Sequence, residues 1–244
     1  MPADPAGRNG GPRGGESHGG PDGFDPHSIT RVVLRPVASS LPLGFRAFGV
    51  GTILLTVLEL HWLPPAQDRY LMIMVLAFVV PLEGLAGLLG YFSRDVGAAT
   101  ALTTLSASWC VTALIVLGTP PGARSPALGI FLLILGTVML LLVAAAAESK
   151  PLFAVLLALG ASRFALTGVY QVAGLPITET VAGWIGVPLA GFALYGMIAL
   201  LLEDGKQQTV LPLGRRGRAR SSLEGDLASQ IEHAEREAGV RRQL

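Results

Sequence analysis

The chain has 244 residues, of which 51% are hydrophobic and 14% charged, and 18 Lys+Arg set against 17 Asp+Glu leave a net charge of +1. A soluble domain carries about 25% charged residues, so this composition points to a bilayer as solvent, and the even charge balance excludes a strongly basic nucleic-acid binder. The single cysteine, Cys110, excludes an intrachain disulfide framework and a cysteine-rich metal site.

Residues 1–40 are dominated by Gly, Pro, Asp, Arg and Ser. Such a segment buries too little apolar area to offset its ordering entropy, which predicts a disordered tail. It holds no apolar core of a secretory signal. A transmembrane domain is expected over residues 41–204. Six apolar stretches there reach the roughly 20 helical residues needed to cross about 30 Å of hydrocarbon. They lie at about 43–62, 70–92, 96–118, 126–147, 151–173 and 181–202. The breaks carry turn residues or charge, as in Pro64-Pro65-Ala66-Gln67-Asp68-Arg69, Ser93-Arg94-Asp95 and Glu148-Ser149-Lys150. The expected fold is therefore an all-α membrane protein, six transmembrane helices in one bundle. An even number of crossings puts both termini on one side. That side holds Arg31, Arg35, Arg94, Lys150, Lys206, Arg215, Arg216, Arg218 and Arg220, whereas the other holds Arg69 and Arg124. The asymmetry predicts cytoplasmic termini. Residues 205–244 form a basic tail. Leu223, Leu227, Ile231, Ala234 and Ala238 recur there at helical spacing, predicting a short amphipathic helix over about 222–240. It could pair with a copy of itself, lie on the inner leaflet or remain exposed and frayed.

Ionisable side chains inside hydrocarbon are costly and therefore informative. Arg46 lies about 5 Å into the first helix and is within snorkelling reach of the cytoplasmic surface; the other reading is a cation at the mouth of an anion path. Arg163 lies roughly 18 Å into the fifth helix and Glu83 roughly 13 Å from the same side in the second, so a long side chain could bridge them. The pair would either fix helix packing or serve a passing carboxylate and a proton. Pro81 removes a backbone hydrogen bond and should kink the second helix beside Glu83. Gly84, Gly87 and Gly90, and Gly183, Gly186 and Ala190, form small-residue faces for close packing within the bundle or between protomers. Thr100, Thr103, Thr104, Ser106 and Ser108 give the third helix hydroxyls that either bond back to their own helix or line a pore. Glu59 and His61 are expected at the membrane surface, and two such ligands make a poor metal site. With no phosphate-binding Gly-Lys-Ser/Thr loop and no nucleophile–base pair, neither ATP-driven transport nor an enzyme is expected, and no cofactor or metal is required. The start of the first helix, with Ser39, Ser40, Pro42 and Gly44, offers free N–H groups to a carboxylate, although Pro42 also suits a helix start on its own.

Several stretches resemble the acetate uptake transporter family, to which the succinate–acetate permeases belong. They are Ser40-Leu41-Pro42-Leu43-Gly44, Ala86-Gly87-Leu88-Leu89 with Tyr91, Thr100-Ala101 to Trp109, Val181-Ala182-Gly183-Trp184-Ile185-Gly186 and Thr209-Val210-Leu211-Pro212-Leu213-Gly214. The last two lie at the family's mutual spacing without a gap. The resemblance covers about residues 40–214 and neither tail. It implies a six-helix protomer assembled as a homohexamer in the plasma membrane, each protomer enclosing a path for acetate and related short carboxylates. It also implies an apolar constriction. Phe48 matches the family's aromatic on helix 1, the helix 3 tyrosine falls on Leu105, and a helix 5 leucine falls near Leu159 or Gly160. A glutamine on helix 2 falls on Glu83 and an asparagine on helix 5 on Gln171. The opening asparagine is lost, a glutamate ending helix 2 is replaced by Gly90, and Arg163 has no counterpart. The substrate path expected from residues and resemblance together comprises Pro42, Gly44, Arg46, Phe48, Glu83, Leu105, Arg163 and Gln171. The expected function is a channel or proton-coupled transporter for short mono- or dicarboxylates. The alternative is a non-transporting scaffold or sensor acting through its tails.

Overall fold

Hydrocarbon offers no water to unpaired peptide groups, so each apolar run has to close its own hydrogen bonds as a helix. The computed structural model describes residues 39–93, 95–147, 150–206 and 208–214. Residues 1–38 of the tail expected over 1–40, and the amphipathic helix expected near 222–240, lie outside these. Among the described residues there are six helices long and apolar enough to span a membrane, and none is in a strand. They are α1 (Leu41–Glu59), α2 (Pro65–Phe92), α3 (Val96–Gly118), α4 (Pro126–Ala146), α5 (Pro151–Ala173) and α6 (Pro176–Lys206). The near end of the bundle is the one where α1 begins; the far end is where it stops.

The boundaries differ from the expected ones where polar residues continue a helix. Proline in the first turn starts α1, α4 and α5, where its missing N–H costs nothing. Asp95 caps α3 by accepting from the Ala98 N–H at 3.3 Å, and Ser125 caps α4 by accepting from Leu128 N–H at 3.3 Å. Helix α6 starts at Pro176 rather than near 181 and runs 31 residues, roughly 47 Å at 1.5 Å per residue, well beyond the hydrocarbon thickness. Helix α1 stops at Glu59, and His61 turns the chain with a left-handed φ of 51°. Helix α2 answers Pro81 with a π-helical turn over Val75–Val79, in which the Val80 N–H reaches the Val75 carbonyl.

Each helix packs against its chain neighbours, and α6 closes back onto α1. Glycines permit the close crossings. A Cβ on Gly87 would lie 2.5 Å from the Thr103 side chain, and one on Gly90 3.0 Å from the Ala99 Cβ, joining α2 to α3. A Cβ on Gly183 would meet Leu60 at 2.7 Å, drawing α6 onto the end of α1. Both small-residue faces are thus used inside the bundle. At the near end the Lys150 ammonium pairs with the Asp95 carboxylate, linking the α2–α3 and α4–α5 connections. Past α6 the chain folds back, with the Tyr195 hydroxyl donating to the Pro212 carbonyl at 3.0 Å and Leu213 buried.

Candidate functional site

Among the described residues, two cavities inside the bundle lie one above the other. The far cavity encloses about 710 Å³ of empty space, part of it open to the exterior. Its walls come from α1, α3, α4, α5 and α6, and α2 contributes nothing. The near cavity is smaller, about 340 Å³, and wholly apolar, walled by Phe45, Phe48, Leu102, Leu105, Met139 and further residues of α5. Phe48 and Gly160 belong to both. Phe48 is held by an edge-on contact with Trp109, 6.1 Å between ring centroids. A Cβ built on Gly160 would meet nothing within 4 Å. The boundary between the two cavities, here the throat, therefore carries an aromatic ring at Phe48 and, at Gly160, room where a side chain would stand.

The charged centre of the far cavity is Arg163, 5% exposed. Its Nε and Nη2 donate to Glu59 Oε2 at 3.0 and 2.6 Å, and Nη1 donates to the Thr52 carbonyl at 3.2 Å. The other Glu59 oxygen accepts from the Thr167 hydroxyl at 2.7 Å. Charges taken out of water persist when paired and hydrogen-bonded on all sides. Both Glu59 oxygens are engaged, whereas Arg163 commits three of its five N–H donors among the described residues. The hydroxyls of Thr52 and Thr56 are buried beside it with no hydrogen-bond partner among the described residues. Gly186 leaves the necessary room: a Cβ there would lie 2.9 Å from Arg163 Nη1 and collide with the Thr56 hydroxyl.

This corrects the expected Glu83–Arg163 pair. Depth along the helix axes suggested it, but depth says nothing of azimuth, and Glu83 stands on the helix that lines neither cavity. Glu83 is fully buried; both its oxygens and the Trp109 indole N–H lying against it make no hydrogen bond among the described residues. The expected surface position of Glu59 is corrected as well: it is 3% exposed and completes the Arg163 site.

The other expected path residues divide. Phe48 and Leu105 line cavities, as does Gly160, whereas Leu159 packs half-buried against the core. Gln171 lines the far cavity, but its carbonyl accepts from the Ser125 N–H at 2.8 Å and so ties α5 to the start of α4. Arg46 is exposed on the outside of α1, because its neighbours Ala47 and Phe48 take the buried face. Pro42 and Gly44 line neither cavity; Gly44 is pressed against Leu102, and the Ser39 hydroxyl caps the Leu41 N–H at 3.4 Å. The hydroxyl face of α3 is also resolved. Thr103, Thr104 and Ser108 donate to carbonyls of their own helix, and Ser106 donates to the Val80 carbonyl at 2.9 Å. Of the five, only Ser108 reaches the far cavity, where Thr112 joins it. Glu59, Trp109, Thr167 and Glu179 are wall residues that sequence reasoning passed over. A carboxylate placed one helix turn before the expected end of a span was the available signal for Glu59.

The comparisons with known proteins fit this architecture. The succinate-acetate/proton symporter SatP of Escherichia coli (strain K12) is 26% identical over 182 residues, covering 73% of this chain and 96% of the symporter. The Shigella flexneri protein of the same description matches to the same extent. The solved structure of the bacterial acetate channel SatP superposes with a TM-score of 0.66 at 26% identity, covering 72% of this chain and 99% of that one. The GPR1/FUN34/yaaH family matches residues 22–214, and the chain is a multi-pass membrane protein that belongs to this family.

Proposed function

We propose that the chain transports acetate and related short carboxylates across the plasma membrane through the two stacked cavities. The observation that carries this reading is Arg163, a buried cation facing the far cavity with donors to spare. A guanidinium is the side chain suited to holding a carboxylate by paired N–H donors. Because Glu59 neutralises it, an incoming anion meets a polar and nearly uncharged site, which favours brief holding over trapping. The methyl or methylene part of a short carboxylate then suits the apolar throat at Phe48 and Gly160 and the apolar near cavity beyond it. The curated relatives are described as succinate-acetate/proton symporters and the solved one as an acetate channel. Both descriptions fit a polar half joined to an apolar half, and neither favours a scaffold acting through its tails.

The near end faces the cytoplasm in this reading, in keeping with the excess of Lys and Arg there. Proton coupling and assembly as a hexamer complete the proposal. The exposed apolar residues of α4 and α6, including Ile130, Ile134, Leu141 and Trp184, are suited to lipid or to other copies. Purified protein in liposomes should take up labelled acetate faster than empty vesicles, with competition from other short carboxylates. Uptake equal to that of empty vesicles across such a panel would overturn the reading.

A further inference from the structure

The mouth of the far cavity holds a second ionisable group of residues that the carboxylate site does not use. Glu179, in the first turn of α6, lines the cavity and is only 6% exposed. Its Oε2 lies 3.4 Å from Nε2 of His61, whose side chain is 63% exposed. One partner thus faces bulk water and the other faces the cavity. We infer that His61 and Glu179 form a proton port, loading and unloading a carboxyl group at the cavity mouth. This rests on the transport reading and adds the residues through which pH acts on it.

The step balances without a co-reactant. A proton from bulk water binds the imidazole, passes from Nε2–H to Glu179 Oε2, and leaves a neutral imidazole and a neutral carboxylic acid. Ionised, Glu179 repels an approaching carboxylate across a poorly screened cavity; protonated, it does not. The other groups around the port are few. Glu59 and Tyr170 face Glu179, Asp68 faces His61, and Arg124 faces Tyr170. Glu59 is held by Arg163 and Thr167. Among the described residues, His61 and Glu179 are thus a directly paired couple with one member in bulk water and the other on the cavity wall.

The test is acetate uptake by proteoliposomes buffered at the same pH on both faces, from about pH 5 to 8, after subtraction of uptake by empty vesicles. The wild-type rate should fall as pH rises. Glu179→Gln keeps the shape and the hydrogen bonding while removing the charge. It should show a nearly flat profile across this range. His61→Gln should flatten the profile likewise. An unchanged slope in Glu179→Gln would overturn the port, as would loss of flux at every pH in both variants when thermal unfolding shows them folded. Failure of the transport reading itself looks different, because the wild type would then be inactive at every pH.

Discussion

The two halves of the path solve opposite problems with the same helices. In the far half, α1 and α5 face each other through Glu59, Thr52, Arg163 and Thr167, and charge is tolerated because every oxygen of Glu59 is matched. In the near half the same two helices present Phe45, Phe48, Phe153, Leu156 and Leu157, with no polar side chain on the wall. An anion can rest in the first region and has no partner in the second. On the proposed path, the free-energy barrier to its passage then belongs to the near half and to the throat, and recognition to the far half. Glu83 supplies a contrast of its own. It is as deeply buried as Arg163 but sits on α2, behind both regions.

The largest effect is expected from breaking the polar half alone. Arg163→Ala leaves Glu59 buried and unpaired, which should cost about 3–5 kcal/mol of stability and abolish flux; thermal unfolding in detergent and acetate uptake check the two parts separately. The double variant Arg163→Gln with Glu59→Gln removes both charges and should restore folding but not uptake. Uptake at the wild-type rate in the double variant would make the pair purely structural. Gly186→Ala comes next, because its Cβ meets Thr56 and Arg163 within a tight crossing of α1, α5 and α6. Overpacking of this kind should lower stability by about 1–3 kcal/mol.

The throat is sharpened by filling it. Gly160→Leu has open space for its first carbon and improves helix propensity, so the melting temperature should hold while acetate flux falls by about tenfold, or about 1.4 kcal/mol of barrier. In the near half, Leu105→Ala enlarges an apolar cavity at a cost of about 2–5 kcal/mol. It should raise uptake of longer carboxylates relative to acetate, measured as a ratio in one preparation. The smallest effect is expected at Glu83. Glu83→Gln breaks no ion pair and removes no residue that itself lines a cavity, and an amide still fits beside the Trp109 indole, so stability should change by less than about 1 kcal/mol and the acetate rate should stay near that of the wild type. A loss of flux there would bring α2 back into the path and dissolve the contrast between Glu83 and Arg163.

The crossings were legible in the sequence because they depend on one-dimensional quantities: run length against bilayer thickness, and proline, glycine and charge at the breaks. Arg163 was legible as well, since a guanidinium inside hydrocarbon stands out wherever it occurs, and Phe48 and Leu105 could be placed through motif resemblance. The ends of α1 and α6 were harder: α1 stops at Glu59, short of the expected 62, where the chain turns through His61, whereas Glu179 belongs to a polar first turn of α6 that precedes the apolar run. The identity of the partner of Arg163 lay beyond sequence reasoning altogether. Glu83 and Glu59 are both carboxylates on neighbouring helices, and axial depth favours Glu83. Only the packing decides between them, by turning α2 away from the cavities and bringing the end of α1 over α5 through Gly183 and Gly186. Pairing of buried charges depends on azimuth and helix order around the bundle, and these come from how small residues let particular helix faces approach, not from the order of residues along any one helix.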